Sequence, residues 1–300
     1  MKLLITGAVS WKEEQKKELE RLGHELIYIQ DERIPLKEQG IGVENIEGAI
    51  CNGLFLYNDI ADFKNLRYIQ LTSAGYDRVP MEYIAEHHIE IHNARGVYSV
   101  PMAEFALCGV LQLYKQSRFF CENQKRHVWE KHRGIQELSG KNVCVVGCGS
   151  VGAECAKRFQ AFECHVTGID IYPREDKDFT EMLGMEHLDT KLAENDIVVL
   201  TLPLTEETRH LMNERRLRLM KSGAVLVNIA RGAVVDTDAL VKEMSRLGGA
   251  VLDVFEEEPL SKESPLWEME NVILTPHNSF VGEGNRERLG RVILKNIEDK

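Results

Sequence analysis

The chain has 300 residues, 43% hydrophobic and 28% charged, with a formal net charge of −11. That length suits one large domain or two ordinary ones, and no apolar run approaches the roughly 18 residues of a membrane span. A surface this negative repels a phosphate backbone unless a basic patch offsets it. The densest basic clusters, "QKRHVWEKHR" (124–133) and "NERRLRLMK" (213–221), contain glutamate and read as solvated helix faces, so no nucleic-acid partner is expected.

The N-terminal "MKLLITGAVSWKEE" turns charged after a short apolar run and reads as a first buried strand, not a secretory signal. Short apolar runs then alternate with amphipathic stretches, the pattern of α/β units built on parallel sheets. In the first third the strand candidates are "KLLIT" (2–6), "HELIYI" (24–29), "GLFLY" (53–57), "LRYIQLT" (66–72) and "IEIHN" (89–93). The helical segment 11–23 ends at Gly23, a C-cap glycine. Segment 99–120 is apolar nearly all round. It reads as one buried helix, with Ser99 as N-cap and Pro101 in the first turn, at a domain junction or a subunit interface.

A second alternating series follows, with strands at 142–147, 165–170, 196–202, 224–230, 249–254 and 271–275 and an amphipathic helix over 286–300. The fold class is therefore α/β, with two doubly wound parallel-sheet domains. Seven cysteines (51, 108, 121, 144, 148, 155 and 164) form no CxxC pair. They support neither a metal site nor a disulfide framework and fit a reducing, cytoplasmic compartment.

The stretch "NVCVVGCGSVGAECAKRF" (142–159) carries Gly147, Gly149 and Gly152 in G-x-G-x-x-G spacing between a strand and a helix. Gly147 permits the tight turn, Gly149 lets the backbone approach a pyrophosphate, and Gly152 allows close helix–strand packing. The helix N-terminus supplies free N–H groups and a positive dipole end. Asp170 ends the next strand, where a carboxylate binds ribose hydroxyls and repels a 2′-phosphate, so the expected cofactor is NAD. Arg174 stands four residues further on.

Three more strands of this series end in polar residues: Arg231 after 224–230, Asp253 at the end of 249–254 with Glu258 in the loop after it, and His277 after 271–275. In an open parallel sheet all of them project to the edge that holds the phosphate loop. Read singly, Arg231 serves equally as a cap or an ion-pair partner, and Asp253 as a cap. Glu258 lies in a run of three glutamates, among which spacing does not choose.

In order along the chain, "TSAGYDRV" (72–79), "GVYSVPMAEFAL" (96–107), "GCGSVG" (147–152), "LPLTEETRHL" (202–211), "NIARGAVVD" (228–236), "DVFEEEPL" (253–260) and "TPHNS" (275–279) resemble the D-isomer-specific 2-hydroxyacid dehydrogenase family over essentially the whole chain. The resemblance selects Glu258, before Pro259, and implies roles. His277 would exchange a proton with the substrate C2 oxygen, with Glu258 fixing its tautomer and favouring the protonated ring. Arg231 would bind the carboxylate and polarise the carbonyl. Backbone N–H groups around Ser73, Ala74 and Gly75 would hold the carboxylate. Gly147, Gly149, Ser150, Val151, Gly152, Asp170, Pro203, Ile229, Ala230, Arg231, Asp253 and His277 would line the NAD site, Asp253 at the nicotinamide carboxamide.

The resemblance also implies a flavodoxin-like substrate domain of residues 1–98 plus 280–300, with a Rossmann NAD domain of 99–279 inserted in it, and a homodimer. The substrate would be a small 2-oxo or 2-hydroxy acid; glyoxylate, hydroxypyruvate, pyruvate and phosphohydroxypyruvate all stay open. Formate dehydrogenases share the scaffold but carry glutamine at the position of Glu258. An NAD(H)-sensing corepressor-like binding protein is the alternative from another functional class.

Overall fold

The computed structural model describes residues 1–298. It divides into two compact units, one of Met1–Tyr98 with Gly282–Lys300 and one of Ser99–Val281. The second boundary falls two residues beyond the expected 279/280 division.

The first unit runs β1 (Lys2–Thr6), α1 (Glu13–Arg21), β2 (Glu25–Ile29), β3 (Gly48–Cys51), β4 (Tyr68–Leu71), α2 (Met81–Glu86) and β5 (Glu90–His92). The strands pair in the order β2-β1-β3-β4-β5, all parallel. Gly23 follows α1 at φ +84°, a left-handed cap that costs glycine little.

The apolar run "GLFLY" is not a strand. The strand is "GAIC" just before it, and Leu54–Leu56 forms a 3₁₀ turn. The reason is packing. A Cβ on Gly48 would lie 2.8 Å from Leu3 Cδ1, so small residues let β3 fit between its neighbours. Leu54 is buried while Leu56 is 58% exposed, so the run as a whole has no sheet to enter.

The second unit runs α3 (Ser99–Tyr114), α4 (Ser117–Lys125), β6 (Asn142–Val146), α5 (Ser150–Ala161), β7 (His165–Ile169), β8 (Glu181–Leu183) and α6 (Leu188–Glu194). It continues through β9 (Ile197–Leu200), α7 (Glu214–Leu219), β10 (Val225–Asn228), α8 (Thr237–Glu243), β11 (Gly249–Leu252) and β12 (Val272–Leu274). Its sheet order is β12-β11-β10-β9-β6-β7-β8. Strands β9, β10 and β11 are buried along their whole length, which is why they read as continuous apolar runs.

The expected single helix over 99–120 is two. Gln116 adopts φ +53° and breaks it between α3 and α4. Ser99 is the first helical residue, not a cap, and its buried Oγ has no hydrogen-bond partner. Helix α3 packs on the sheet of its own unit: a Cβ on Gly109 would lie 2.5 Å from Val251 Cγ1. The basic stretch 124–133 is not a helix face either. Helix α4 ends at Lys125, His127 turns left-handed, and Trp129 beyond it is 97% exposed with no core to face. Helix α9 (Asn285–Glu298) returns to the first unit, where Leu289, Ile293 and Ile297 pack with Leu3, Ile5 and Leu19; residues 299 and 300 of the expected helix lie outside the described residues.

Candidate active site

The phosphate-type loop follows β6. Gly147 sits at φ +91°, and a Cβ there would lie 2.7 Å from Leu202 Cα. Gly149 precedes α5, and nothing lies within 4 Å of where its Cβ would be, so a ligand can approach that backbone. At Gly152 a Cβ would meet Gly147 O at 2.2 Å, so the helix rests directly on the loop. Ser150 and Val151 open α5 and present first-turn N–H groups.

Asp170 follows β7. Its Oδ2 accepts the Cys148 N–H at 2.7 Å and its Oδ1 the Tyr172 N–H at 3.0 Å, so it ties the loop to the neighbouring strand end. Burial, reinforced by the Asp170 charge, pushes the Cys148 thiol up to about 12. Arg174 reaches Cys148 O at 3.5 Å. Pro203 is exposed after β9, and its carbonyl accepts the Thr208 hydroxyl at 2.8 Å. A tight turn, an open backbone, a helix N-terminus and a strand-end carboxylate together fit a dinucleotide.

At the same sheet edge, β10 ends in buried Asn228. Its Oδ1 accepts Ala230 N–H at 3.1 Å and its Nδ2 donates to Arg231 O at 3.0 Å, shaping the turn through buried Ile229 and Ala230. Arg231 is half-buried, with Nη1 donating to Ala230 O at 2.8 Å. Gly232 is pressed so closely on the next loop that a Cβ would lie 1.8 Å from the Phe255 carbonyl carbon.

Asp253, after β11, is 0% exposed. Its Oδ1 accepts the Thr275 hydroxyl at 2.7 Å and Asn278 N–H at 2.8 Å, and its Oδ2 accepts Ser279 N–H at 2.9 Å. Its carbonyl accepts His277 N–H at 2.8 Å. Asp253 thus clasps the whole loop that carries His277, which holds a left-handed φ of 49°. The motif reading missed this clasp; a charged residue at the end of a buried strand was its only sequence signal.

His277 Nδ1 meets Glu258 Oε2 at 2.9 Å, and Glu258 Oε1 accepts Phe255 N–H at 3.0 Å. The side chains are 42% and 36% exposed, so the ring is braced yet open to a small molecule. Phe280 stands edge-on to the ring at 5.9 Å. A second pair, also missed, joins the loops after β9 and β11: His210 Nε2 to Glu256 Oε1 at 2.5 Å, with Glu256 Oε2 accepting Thr237 N–H at 2.9 Å.

Ser73, Ala74 and Gly75 belong to the first unit and follow β4 at its carboxyl edge. Ser73 Oγ donates to Gly75 O at 3.1 Å, Ala74 O accepts Asn93 Nδ2 at 2.7 Å, and Tyr98 Oη donates to Thr72 O. These contacts hold the loop but use none of its three N–H groups, which donate to no other group among the described residues.

No described helix is long and apolar enough to cross a membrane. No group of three or more His, Cys, Asp or Glu side chains among the described residues is placed to hold a metal ion.

Residues 107–279 match the family model of the D-isomer specific 2-hydroxyacid dehydrogenase, NAD binding domain. A glyoxylate reductase of Thermofilum pendens is 37% identical over 242 residues, 78% of this chain and 71% of that protein. An (S)-sulfolactate dehydrogenase of Chromohalobacter salexigens is 32% identical over 272 residues, 89% of this chain and 87% of its own. The crystal structure of D-lactate dehydrogenase from Aquifex aeolicus, complexed with NAD and lactic acid, superposes with a TM-score of 0.76 at 27% identity, covering 98% of this chain and 94% of that one. The glycine loop, the sheet order and these likenesses agree: the chain belongs to the D-isomer specific 2-hydroxyacid dehydrogenase family and is an NAD-dependent D-2-hydroxyacid dehydrogenase.

Proposed function

We propose that the protein reduces a small 2-oxo acid, with His277 as proton donor, Glu258 as its orienting carboxylate, and Arg231 with the Ser73–Gly75 amides as carboxylate binders. The observation that carries this reading is the 2.9 Å contact between His277 Nδ1 and Glu258 Oε2 at the carboxyl edge of the NAD-binding sheet. A carboxylate on Nδ1 keeps the proton there and leaves Nε2 to serve the C2 oxygen. The Phe255 N–H on the other Glu258 oxygen holds that carboxylate in place.

NADH, when bound, would supply the hydride. His277 gives a proton to the C2 oxygen as the hydride arrives, so a 2-oxo acid, NADH and a proton become a D-2-hydroxy acid and NAD⁺. The Arg231 fork neutralises the substrate carboxylate and polarises the carbonyl. Asp170 favours NAD through its carboxylate at the ribose position. Glu258, in place of an amide, supports proton transfer over formate oxidation, which releases no hydroxyl proton.

The test is NADH consumption by purified protein across a panel of 2-oxo acids, with NADPH in parallel. Turnover of at least one acid, faster with NADH, is expected. Tight NADH binding with no turnover of any acid would replace this reading with that of an NAD(H)-sensing binding protein.

We also propose a homodimer joined through the NAD-binding units. Trp129, Val128, Ile135 and Phe120 leave apolar surface exposed around a cavity of about 900 Å³ beside α4, a surface suited to a second copy. Sedimentation at the mass of one chain would sink that proposal.

A further inference from the structure

The carboxyl edge of the five-stranded sheet holds a charge that the proposed reaction does not use. After β2 the chain turns back over the end of β1, and Glu32 is half-buried there. Both of its oxygens are occupied. Oε2 accepts the Thr6 hydroxyl at 2.8 Å and Asn52 N–H at 3.0 Å, and Oε1 accepts Gly53 N–H at 2.5 Å. Asn52 and Gly53 are the first residues after β3. Successive N–H groups at the end of a parallel strand form a cradle for an anion. Here the chain fills that cradle with its own carboxylate.

The place matters because β3 is hydrogen-bonded to β4. Cys51 is in register with Leu71, and Thr72 N donates to Cys51 O at 2.9 Å. The Ser73–Gly75 loop therefore begins one strand spacing, about 4.8 Å, from the amides that Glu32 holds. Asn52 Oδ1 is buried and unpartnered, a second acceptor at the same edge. The nearest cation in sequence, Arg33, is spent on Asp31, with bonds of 2.9 and 2.7 Å. Arg78 and Arg95 are exposed, where water and salt screen them.

We infer that Glu32 is a specificity-determining residue: its fixed negative charge rejects 2-oxo acids that carry a second anionic group at C3 and admits those whose substituent is hydrogen, methyl or hydroxymethyl. This rests on the assignment of Ser73–Gly75 as the carboxylate loop. Phosphate, sulfonate and carboxylate substituents are all disfavoured, because each would sit near a like charge with its compensating N–H groups already taken.

The experiment is steady-state kinetics with NADH for wild type and Glu32→Gln. Glyoxylate, pyruvate and hydroxypyruvate form one set, neutral apart from the shared carboxylate; phosphohydroxypyruvate, sulfopyruvate and oxaloacetate form the other, anionic set. In wild type, kcat/KM for the best neutral acid should exceed that for every anionic acid by roughly 10²-fold, the scale of two like charges about 7 Å apart in a half-buried setting. In Glu32→Gln that ratio should fall by about 10-fold or more through KM, with kcat on the neutral acids within about 3-fold of wild type. Wild type that takes an anionic acid as readily as a neutral one overturns the inference, as does an unchanged ratio in a folded variant.

Should the variant fail to fold, inhibition of the wild type decides. D-Lactate should inhibit far better than D-malate, which differs from it by one carboxylate on C3, and equal inhibition overturns the inference. Failure of every acid to turn over would instead remove the proposed reaction, and this inference with it.

Discussion

At the carboxyl edge of the seven-stranded sheet two carboxylates serve a histidine: Glu258 braces the ring of His277, and Asp253 clasps its loop. At the carboxyl edge of the five-stranded sheet Glu32 serves backbone amides, filling the cradle after β3. The scaffold is the same, a parallel sheet with loops gathered at one end, yet the acidic side chains act oppositely. In one unit they fix a single imidazole and the loop that carries it. In the other they leave the Ser73–Gly75 amides free and close the neighbouring ones. Fold places the residues at an edge, and side-chain partners decide what the edge does.

The sharpest way to break this comparison is His277→Ala. Turnover should fall by ~10² to 10⁴-fold, the range for a lost general acid or base, with NADH affinity near wild type. A near-normal rate would mean that the Glu258–His277 pair is only a surface ion pair. Next comes Asp253→Ala, which strands the Thr275 hydroxyl and two backbone N–H groups that now reach a fully buried carboxylate. A loss of about 3 kcal/mol in denaturant unfolding is expected, because charged hydrogen bonds are lost and buried donors stay unpaired. Unchanged stability would show that the clasp is dispensable. The smallest effect belongs to Glu32: its removal should alter which acid is accepted and leave the rate on neutral acids nearly untouched.

Much of this was legible in the sequence. Strands β9 to β11 are buried on both faces, so each appears as an uninterrupted apolar run. The glycine loop advertises itself because each glycine answers a steric demand, as the 2.2 Å approach at Gly152 makes plain. Other parts left weaker traces. Strand β8 has three residues at a sheet edge, too few for a periodic signal. The break at Gln116 is a left-handed turn by a residue with no preference for one. "GLFLY" outshone "GAIC" because bulky apolar residues favour strands, whereas the space between β1 and β4 favours small ones. Asp253 and Glu32 act on backbone N–H groups, which every residue but proline offers, so no residue pairing in the sequence reveals their partners.

Gly232 carries a consequence for how such an enzyme can be altered. Any side chain there would collide with the Phe255 carbonyl, so the segment bearing Arg231 and the segment leading to Glu258 cannot be varied independently. The turn around Glu32 is fixed at its start, where a Cβ on Gly7 would lie 2.1 Å from the Gln30 carbonyl oxygen, but Glu32 itself is held by side-chain bonds. A mutagenesis library spread over residues 31–34 and 52–53 should therefore yield folded enzymes with new acceptor preferences. One spread over 230–233 should yield mostly inactive chains. On the proposed assignments, substrate choice and proton chemistry are separable traits, one adjustable and one nearly frozen.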